Sequence, residues 1–407
     1  MRTHDLNLRH LAALAAVRSS GSISAAARMV HLTQPAITQG VAKLERQLGM
    51  PLFTRQPEGM EPTAAGILMS DRIEAALRLV GSRRATMAQI RAFLGFVDHG
   101  TYAAAAKAMG ISEASLHRAV GDFQIALGPR LLNRRGRSLV LTTQGQETAR
   151  NLRLAIVEIE AGLVELAALA GREIGSIRIG AMPLARARLL PEAISAFHAE
   201  HPGTDISVVE GSYAELVVLL RDGRIDLMVG ALRAPEGVDL RSEPLFPDIP
   251  LIVGRKGHPL EAVRGDIEAV HLGAYPWIMP AVGTPLRTLW SEMFEKLGGR
   301  PPHVAIECGS AMMIRQMLHG SDRLALLSSD QIALELETGW LAAYGPAPGS
   351  LGRTIGVTYR GDWRPTARQA LLLGLLRVIS ESLSTKIYSP ATVSIGRTSP
   401  AANRPLS

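Results

Sequence analysis

The chain has 407 residues, 47% of them apolar, which allows two or three domains with sizeable cores. Its single cysteine, Cys308, excludes a disulfide framework and a multi-cysteine zinc site. No stretch approaches about 18 uncharged apolar residues, and MRTHDLNLRH at the start offers no cleavable apolar segment, so a cytoplasmic protein without a membrane partner is expected. Charge is divided unevenly. Residues 1–171 hold 20 Lys+Arg against 13 Asp+Glu, whereas residues 172–407 hold 24 against 24. The whole basic excess therefore lies in the first part, and a localised positive surface suits a polyphosphate partner.

That first part is an internal duplication at a constant offset of 79 residues. Gly21 pairs with Gly100, Ala25–Ala27 with Ala104–Ala106, Leu32-Thr33 with Ile111-Ser112 and Val41 with Val120. Leu48-Gly49 pairs with Leu127-Gly128, Arg55 with Arg134, Thr63 with Thr142 and Gly66 with Gly145. In the first copy, Leu8, Leu11, Leu14 and Val17 line one helical face, and Gly21 ends that helix. Ser22 can cap a second, small-residue helix, and His31-Leu32-Thr33 forms a turn. A third helix begins near Thr33 or Gln34, with Pro35 tolerated in its first turn. Ile37, Val41, Leu44 and Leu48 face inward, leaving Gln34, Ala36, Thr38 and Gln39 outside as base-reading candidates. Lys43 and, on a short wing over 52–63, Arg55 are placed to reach phosphate. The stretch 64–80 is a trailing helix.

The second copy keeps the plan and changes the surface. Ile90, Phe93 and Phe96 form its first helical face, and Leu116, Val120, Phe123 and Leu127 are the inner residues of its third helix. Ser112, Glu113, Ser115, His117 and Arg118 are its outer set. Glu113, standing where the first copy has Gln34, repels phosphate but can accept from a cytosine amino group. The second wing carries Arg130, Arg134, Arg135 and Arg137, a denser basic cluster suited to the DNA backbone.

From 143 to 170 the pattern gives one long helix with Leu152, Ile156, Ile159 and Leu163 along a stripe. A stripe of that length needs a partner, and a second subunit is the expected one, with packing on its own head as the alternative. Beyond residue 171 the period changes to alternating strand and helix: strands at 177–180, 205–210 and 225–229, helices at 189–200 and 213–222. A second α/β unit follows over about 260–345, with strands near 277–279, 304–307 and 324–327. Residues 355–358 and a helix over 366–383 return to the first unit, which reads as crossover connections around a sheet covered on both faces.

The run GSISAAARMVHLTQPAITQGVAKLERQLGMPLFTR at 21–55, followed by PTAAG at 62–66, resembles the winged helix-turn-helix of LysR-type transcriptional regulators. IGAMPLARARLLPEAI (179–194), IDLMVGALR (225–233), GHPL (257–260), YPWIMPAVGTPLR (275–287), SDRLALLS (321–328) and DWRPTA (362–367) resemble the branch concerned with sugar uptake and aromatic-acid catabolism. The likeness covers about residues 8–385 and departs from the family in its second head. It implies a periplasmic-binding-protein-like effector domain of two hinged subdomains, a helix-mediated oligomer, and RNA polymerase as a further partner.

The expected fold is thus multidomain: two tandem winged helix-turn-helix domains at 1–81 and 82–142, a linker and dimerisation helix at 143–171, and an α/β effector domain at 172–385. Subdomain I takes 172–259 and 346–385, subdomain II 260–345, and the polar tail 386–407 is expected to be disordered. Ligands of such domains sit beyond the carboxyl ends of strands and at helix N-termini. Met182, Pro183, Leu184, Arg186, Ser212, Arg233, Thr284 and Ser310 are the candidates, for a carboxylate or sugar-like effector. Chemistry finds no support. Cys308 has no base beside it in sequence, and His198 and His201 lack a third ligand. There is no phosphate-binding or dinucleotide glycine loop, so neither enzyme activity nor a cofactor is expected. An effector-responsive transcriptional regulator, as a homodimer or homotetramer, is the preferred reading, and a constitutive DNA-binding architectural protein or repressor is the alternative.

Overall fold

The computed structural model describes residues 3–387 apart from 58, 129, 137, 173, 234–236 and 349–351. Arg137 and the tail from 388 lie outside the described residues. Two compact units are present: one of residues 1–176 with 203–205 and 221–224, the other holding the remainder.

The first unit contains the duplication as two matching sets of elements. Copy one runs α1 (Leu8–Ser20), α2 (Ile23–Val30), α3 (Gln34–Leu48), the wing β1 (Phe53–Gln56) with β2 (Gly59–Pro62), and α4 (Ala64–Val80). Copy two repeats it as α5 (Met87–His99), α6 (Tyr102–Met109), α7 (Glu113–Leu127), β3 (Leu132–Arg135), β4 (Ser138–Leu141) and α8 (Thr143–Leu169). The same hydroxyls begin the same helices. Ser22 and Thr101 accept from the amides of Ala25 and Ala104, Thr33 and Ser112 from Ala36 and Ser115, and Thr63 and Thr142 from Gly66 and Gly145. Each wing is pinned by one side chain of its third helix, Glu45 Oε1 accepting from Leu52 N at 2.8 Å and Gln124 Oε1 from Leu131 N at 3.3 Å. Glycine at 66 and 145 is a matter of space. A Cβ there would lie 2.0 Å from the Leu52 carbonyl oxygen and 2.2 Å from that of Leu131.

A single core runs through both copies, from Leu6 to Leu166. It corrects the expected subunit seam. Leu152 and Ile159 are fully buried inside this chain, and Ile156 and Leu163 are half-buried against the same core. The partner that the stripe requires is supplied by α4 and by the second head, because the duplication provides a second trailing helix in the same chain. The helix at 143–171 is thus part of the head unit, and its apolar stripe is part of that unit's own core.

The second unit opens with β5 (Gly175–Ala181), α9 (Leu189–Glu200), β6 (Thr204–Glu210), α10 (Tyr213–Arg221), β7 (Leu227–Ala231) and β8 (Leu240–Asp248). β9 (Pro250–Arg255), α11 (Ala269–Gly273), β10 (Ile278–Met279), α12 (Pro285–Lys296), β11 (Ile306–Glu307) and α13 (Ala311–His319) come next. β12 (Ala325–Ser328), α14 (Ala333–Glu337), β13 (Leu341–Pro346), β14 (Arg353–Arg360) and α15 (Ala367–Ile387) complete it. Five strands form one sheet in the order β6-β5-β7-β14-β8, with β5 parallel to β7 and β14 antiparallel to its neighbours. One core holds Leu189, Ala193 and Phe197 of α9 with Leu372 and Leu376 of α15, and another holds Leu216 and Leu220 of α10, so both faces are covered. The other subdomain has the antiparallel sheet β12-β9-β13 and the parallel pair β10-β11, over a core of Trp277, Trp290 and Phe294.

The subdomain boundary falls earlier than expected. β8 ends at Asp248 in the five-stranded sheet and β9 starts at Pro250 in the other, so the crossing lies at 248–250 and not at 259. Alternating helix and strand signals gave no warning of two consecutive strands in different sheets. At the crossing the buried Asp248 accepts from Ser328 Oγ and, at 2.7 Å, from Arg353 Nε. Asp330 is buried beside them, and burial pushes its carboxyl up to about 6 against the pull of Arg188, with Asp248 and Glu192 adding to the rise.

Candidate nucleic-acid interface and effector site

In the first head Thr33 caps α3, so the helix begins at Gln34 with the side chains of its first turn outside. Gln34, Ala36, Gln39 and Lys43 are exposed, and Ile37, Val41 and Leu44 are buried beneath them. Thr38 is exposed to the helix surface only in part, and its hydroxyl donates to the Gln34 carbonyl of its own helix at 3.1 Å, which leaves its methyl and oxygen lone pairs for a groove. Arg55 is exposed on the wing opposite Met60. Behind Lys43, the ring of His10 packs on α3 at Gly40, and its imidazole is held below 6.5 by burial and, secondarily, by the Lys43 charge.

In the second head Ser112 is the counterpart of Thr33: its hydroxyl accepts from Ser115 N and donates to Ser115 Oγ at 2.8 Å. Ser112 therefore begins the helix, and Glu113, Ser115, His117 and Arg118 stand exposed on its outer face. The His117 ring lies against Tyr102, centroids 4.8 Å apart. On the wing Arg134 and Arg135 are exposed, while Arg130 donates from Nε to the Leu132 carbonyl at 3.2 Å. Sequence reasoning missed the contact that joins the heads. Arg72 of α4, on the buried face with Met69, Ile73 and Ala76, binds Glu165 of α8 through Nη2 (2.5 Å) and Nε (3.1 Å) and Glu158 through Nη1 (3.2 Å). The signal was present as one arginine inside an apolar stripe and two carboxylates seven residues apart.

The effector candidates gather at strand carboxyl ends on both subdomains. On the five-stranded sheet, Met182 to Leu184 follow β5, Ser212 follows β6 and Arg233 follows β7, three adjacent strands. Two of these residues are already engaged. Arg186 donates to the Ala181 carbonyl at 3.0 Å and to Glu210 at 2.9 Å, and is therefore not the open bidentate partner expected. Ser212 donates through both its amide and its hydroxyl to Glu215, holding that carboxyl below the ordinary range, so it is a helix-start residue. Arg233 is exposed, its guanidinium 4.7 Å from the Tyr213 ring centroid. Met182 is buried, Pro183 exposed and Leu184 half-buried.

On the other subdomain β10 and β11 pair in parallel, Met279 opposite Glu307, and each leads into a helix. Thr284 therefore stands at the start of α12 and Ser310 at the start of α13, at one end of the same strand pair. Thr284 turns its hydroxyl back to the Ala281 carbonyl at 2.8 Å and gives α12 no side-chain cap. Ser310 is exposed and accepts from Met313 N at 3.4 Å. Arg287 lies close by, 3.7 Å from Glu307 and 5.0 Å from the Trp290 ring centroid. Cys308 is half-buried with Sγ 3.8 Å from the Ser310 carbonyl, and His201 packs on Phe197 and Arg368. Among the described residues no group of three His, Cys, Asp or Glu side chains could hold a metal ion.

Winged heads with an exposed, capped third helix and a two-subdomain α/β body with sites at strand carboxyl ends define a DNA-binding regulator with a ligand-binding domain. Comparison with known proteins agrees. Residues 8–67 and again 87–146 match the family described as bacterial regulatory helix-turn-helix protein, lysR family, and residues 170–378 match the LysR substrate binding domain. The chain belongs to the LysR family of transcriptional regulators. It is 29% identical over 390 residues to the HTH-type transcriptional regulator GalR of Pseudomonas putida, covering 92% of this chain and 98% of that one. The HTH-type transcriptional regulator PcaQ of Agrobacterium fabrum is 28% identical over 274 residues, 67% of this chain and 88% of its own. Among solved structures, a full-length OxyR variant from Pseudomonas aeruginosa aligns with TM-score 0.54 at 18% identity, covering 72% of this chain and 94% of that one, and shows the shared fold. No helix among the described residues is long and apolar enough to cross a membrane.

Proposed function

We propose that the first head reads bases, the second head binds mainly the DNA backbone through its wing beside a reading face of its own, and an effector at the strand carboxyl ends of the body sets the affinity of both. The observation that carries the reading is the outward set Gln34, Ala36, Thr38 and Gln39 on a helix whose opposite face is buried. Lys43 and Arg55 supply phosphate contacts beside it, and Arg134 and Arg135 do so for the second head, with Arg137 assigned to the same wing by its sequence position. Glu113, Ser115, His117 and Arg118, on a helix capped by Ser112, form the second reading face.

The effector is a small anionic or sugar-like molecule. The helix dipoles at the starts of α12 and α13, beside Thr284 and Ser310, favour negative charge, with the Thr284 amide itself engaged by the Ala281 carbonyl at 3.3 Å, and Arg233 is a candidate arginine not held by a carboxylate as Arg186 is. Effector binding acts by differential affinity for two arrangements of the body, and not by occupancy alone. Assembly into a homodimer or homotetramer is assigned to the body, where β6 is an edge strand with Val208 exposed. The compartment is the cytoplasm, no catalysis is assigned, and RNA polymerase is the partner through which transcription responds.

Two measurements on the full-length protein test the reading. Gln34→Ala should lose roughly ten- to hundredfold discrimination at one base position with random-duplex affinity retained. Arg134→Ala with Arg135→Ala should lower the slope of log affinity against log salt by up to about two. Equal losses of Gln34→Ala on specific and random duplex, or an unchanged salt slope, overturn the respective assignment. A thermal-shift screen of carboxylates and sugars against the intact chain follows, and a protein whose melting none of them moves is the constitutive regulator instead.

A further inference from the structure

The two copies are alike inside and rewritten outside. At the buried positions of the two reading helices the counterparts are Ile37 and Leu116, Val41 and Val120, Leu44 and Phe123, Leu48 and Leu127, all apolar. At the outward positions every counterpart differs: Gln34 and Glu113, Ala36 and Ser115, Thr38 and His117, Gln39 and Arg118, Lys43 and Asp122. Donor–acceptor character changes at most of them and charge is reversed at the last. Two helices of this kind present different patterns to base edges.

The contact between the copies is equally one-sided. Arg72 is buried between Glu158 and Glu165, with Met69 and the Arg72 stem against Gly162. At the offset of 79 the counterpart of Arg72 is Asn151, and those of Glu158 and Glu165 are Leu79 and Thr86. In the same geometry, pairing of α4 with another α4 would set Arg72 against Leu79 and Thr86 in place of the two glutamates, and pairing of α8 with α8 would set Glu158 and Glu165 against Asn151 in place of the arginine. A buried charge that loses its partner is strongly unfavourable, so these helices pair best as unlike with unlike. Beside this clasp, Ser82 Oγ donates to the Ala126 carbonyl at 2.8 Å and Arg83 Nη1 to the Met29 carbonyl at 2.9 Å. The junction between the copies is thereby tied to both heads.

We infer that one protomer carries a fixed pair of unlike heads and reads a two-part duplex site whose halves differ in sequence, without a second copy supplying either head. The inference rests on the DNA-reading assignment above and deepens it by stating the form of the DNA partner. A symmetric pair of identical heads matches a palindrome, because operator symmetry mirrors protein symmetry. A pair of unlike heads has no such symmetry to impose.

The test selects duplexes from a random library with the full-length protein, then repeats the selection with Gln34→Ala/Gln39→Ala and with Glu113→Ala/Arg118→Ala, substitutions at exposed positions. Two unlike motifs at constant spacing are expected, each variant erasing the preference in one of them and weakening the complete site roughly ten- to hundredfold. The two variants are then co-expressed with different tags and isolated together. If one protomer reads both halves, the mixed preparation stays as weak as its components. Recovery of affinity on mixing would mean that the halves are read by different protomers and overturns the inference. An inverted repeat of one motif, or a single motif indifferent to Glu113→Ala/Arg118→Ala, overturns it while leaving sequence-specific DNA binding in place. Failure to enrich any motif removes the DNA-reading assignment itself.

Discussion

The two heads are built on one plan, yet they solve the same structural problems with different residues. Where the first packs Leu14 and Leu44 into its interior, the second sets Phe93 against Phe123 with ring centroids 5.2 Å apart. After the second helix of each head the chain turns through a left-handed residue, His31 at φ 56° in one and Gly110 at φ 68° in the other. The clasp between them needs Arg72 from one and two glutamates from the other. Apolar periodicity and capping hydroxyls survive this divergence because either kind of apolar residue fills the interior, whereas a duplicated surface is free to take a second task.

The clasp gives the largest expected effect. Arg72→Ala strands Glu158 and Glu165 in a mostly buried place and should cost about 2–4 kcal/mol in urea unfolding, whereas the exposed counterpart Asn151→Ala should stay within about 0.5. Equal effects would mean that the heads are not joined as described. Next come the interiors. Phe123→Leu should cost about 1–2 kcal/mol through lost volume and ring contact, and Leu44→Phe about 1–3 through overpacking. A Leu44→Phe variant as stable as the parent would show the first head to be looser than its burial indicates.

The turn is smaller. His31→Gly should gain about 0.5–1 kcal/mol by relieving the left-handed backbone, and Gly110→Ala should lose about 1–2. Loss of stability in His31→Gly would point to a contact of the imidazole that outweighs the backbone cost. The last contrast depends on pH. His10 in the first head corresponds to Gln89 in the second, and its lowered proton affinity means that the unfolded chain takes up a proton before the folded one does. Its share of stability is complete above about pH 6.5 and is lost as pH falls below that value. His10→Gln should flatten unfolding curves between about pH 5 and 7 relative to the parent, and an unchanged slope would place the acid sensitivity elsewhere.

Much of this was legible in the residues. The helical stripes, the capping residues and the offset between copies are local or periodic properties, and Gln34, Gln39, Lys43, Glu113 and Arg118 stand outside because their neighbours at helical spacing must stand inside. The effector candidates were placed at strand ends by the same local logic, but their hydrogen bonds were not foreseeable. Arg186 turns to Glu210 and Ser212 to Glu215 because those groups are the nearest partners in the folded chain.

An amphipathic stripe announces only that it will be covered. Leu152 and Ile159 demanded a partner by their spacing, and a second subunit and a second helix of the same chain satisfy that demand equally well in sequence. Tertiary structure decided for α4, since a tethered helix meets α8 at a far higher effective concentration than a separate molecule does, and Arg72 could reach both glutamates. The crossing at Asp248 was decided in the same way. Two adjacent strands give identical local signals whether they share a sheet or part company, and only the distant partners Ser328 and Arg353 fix where the chain passes from one subdomain to the other.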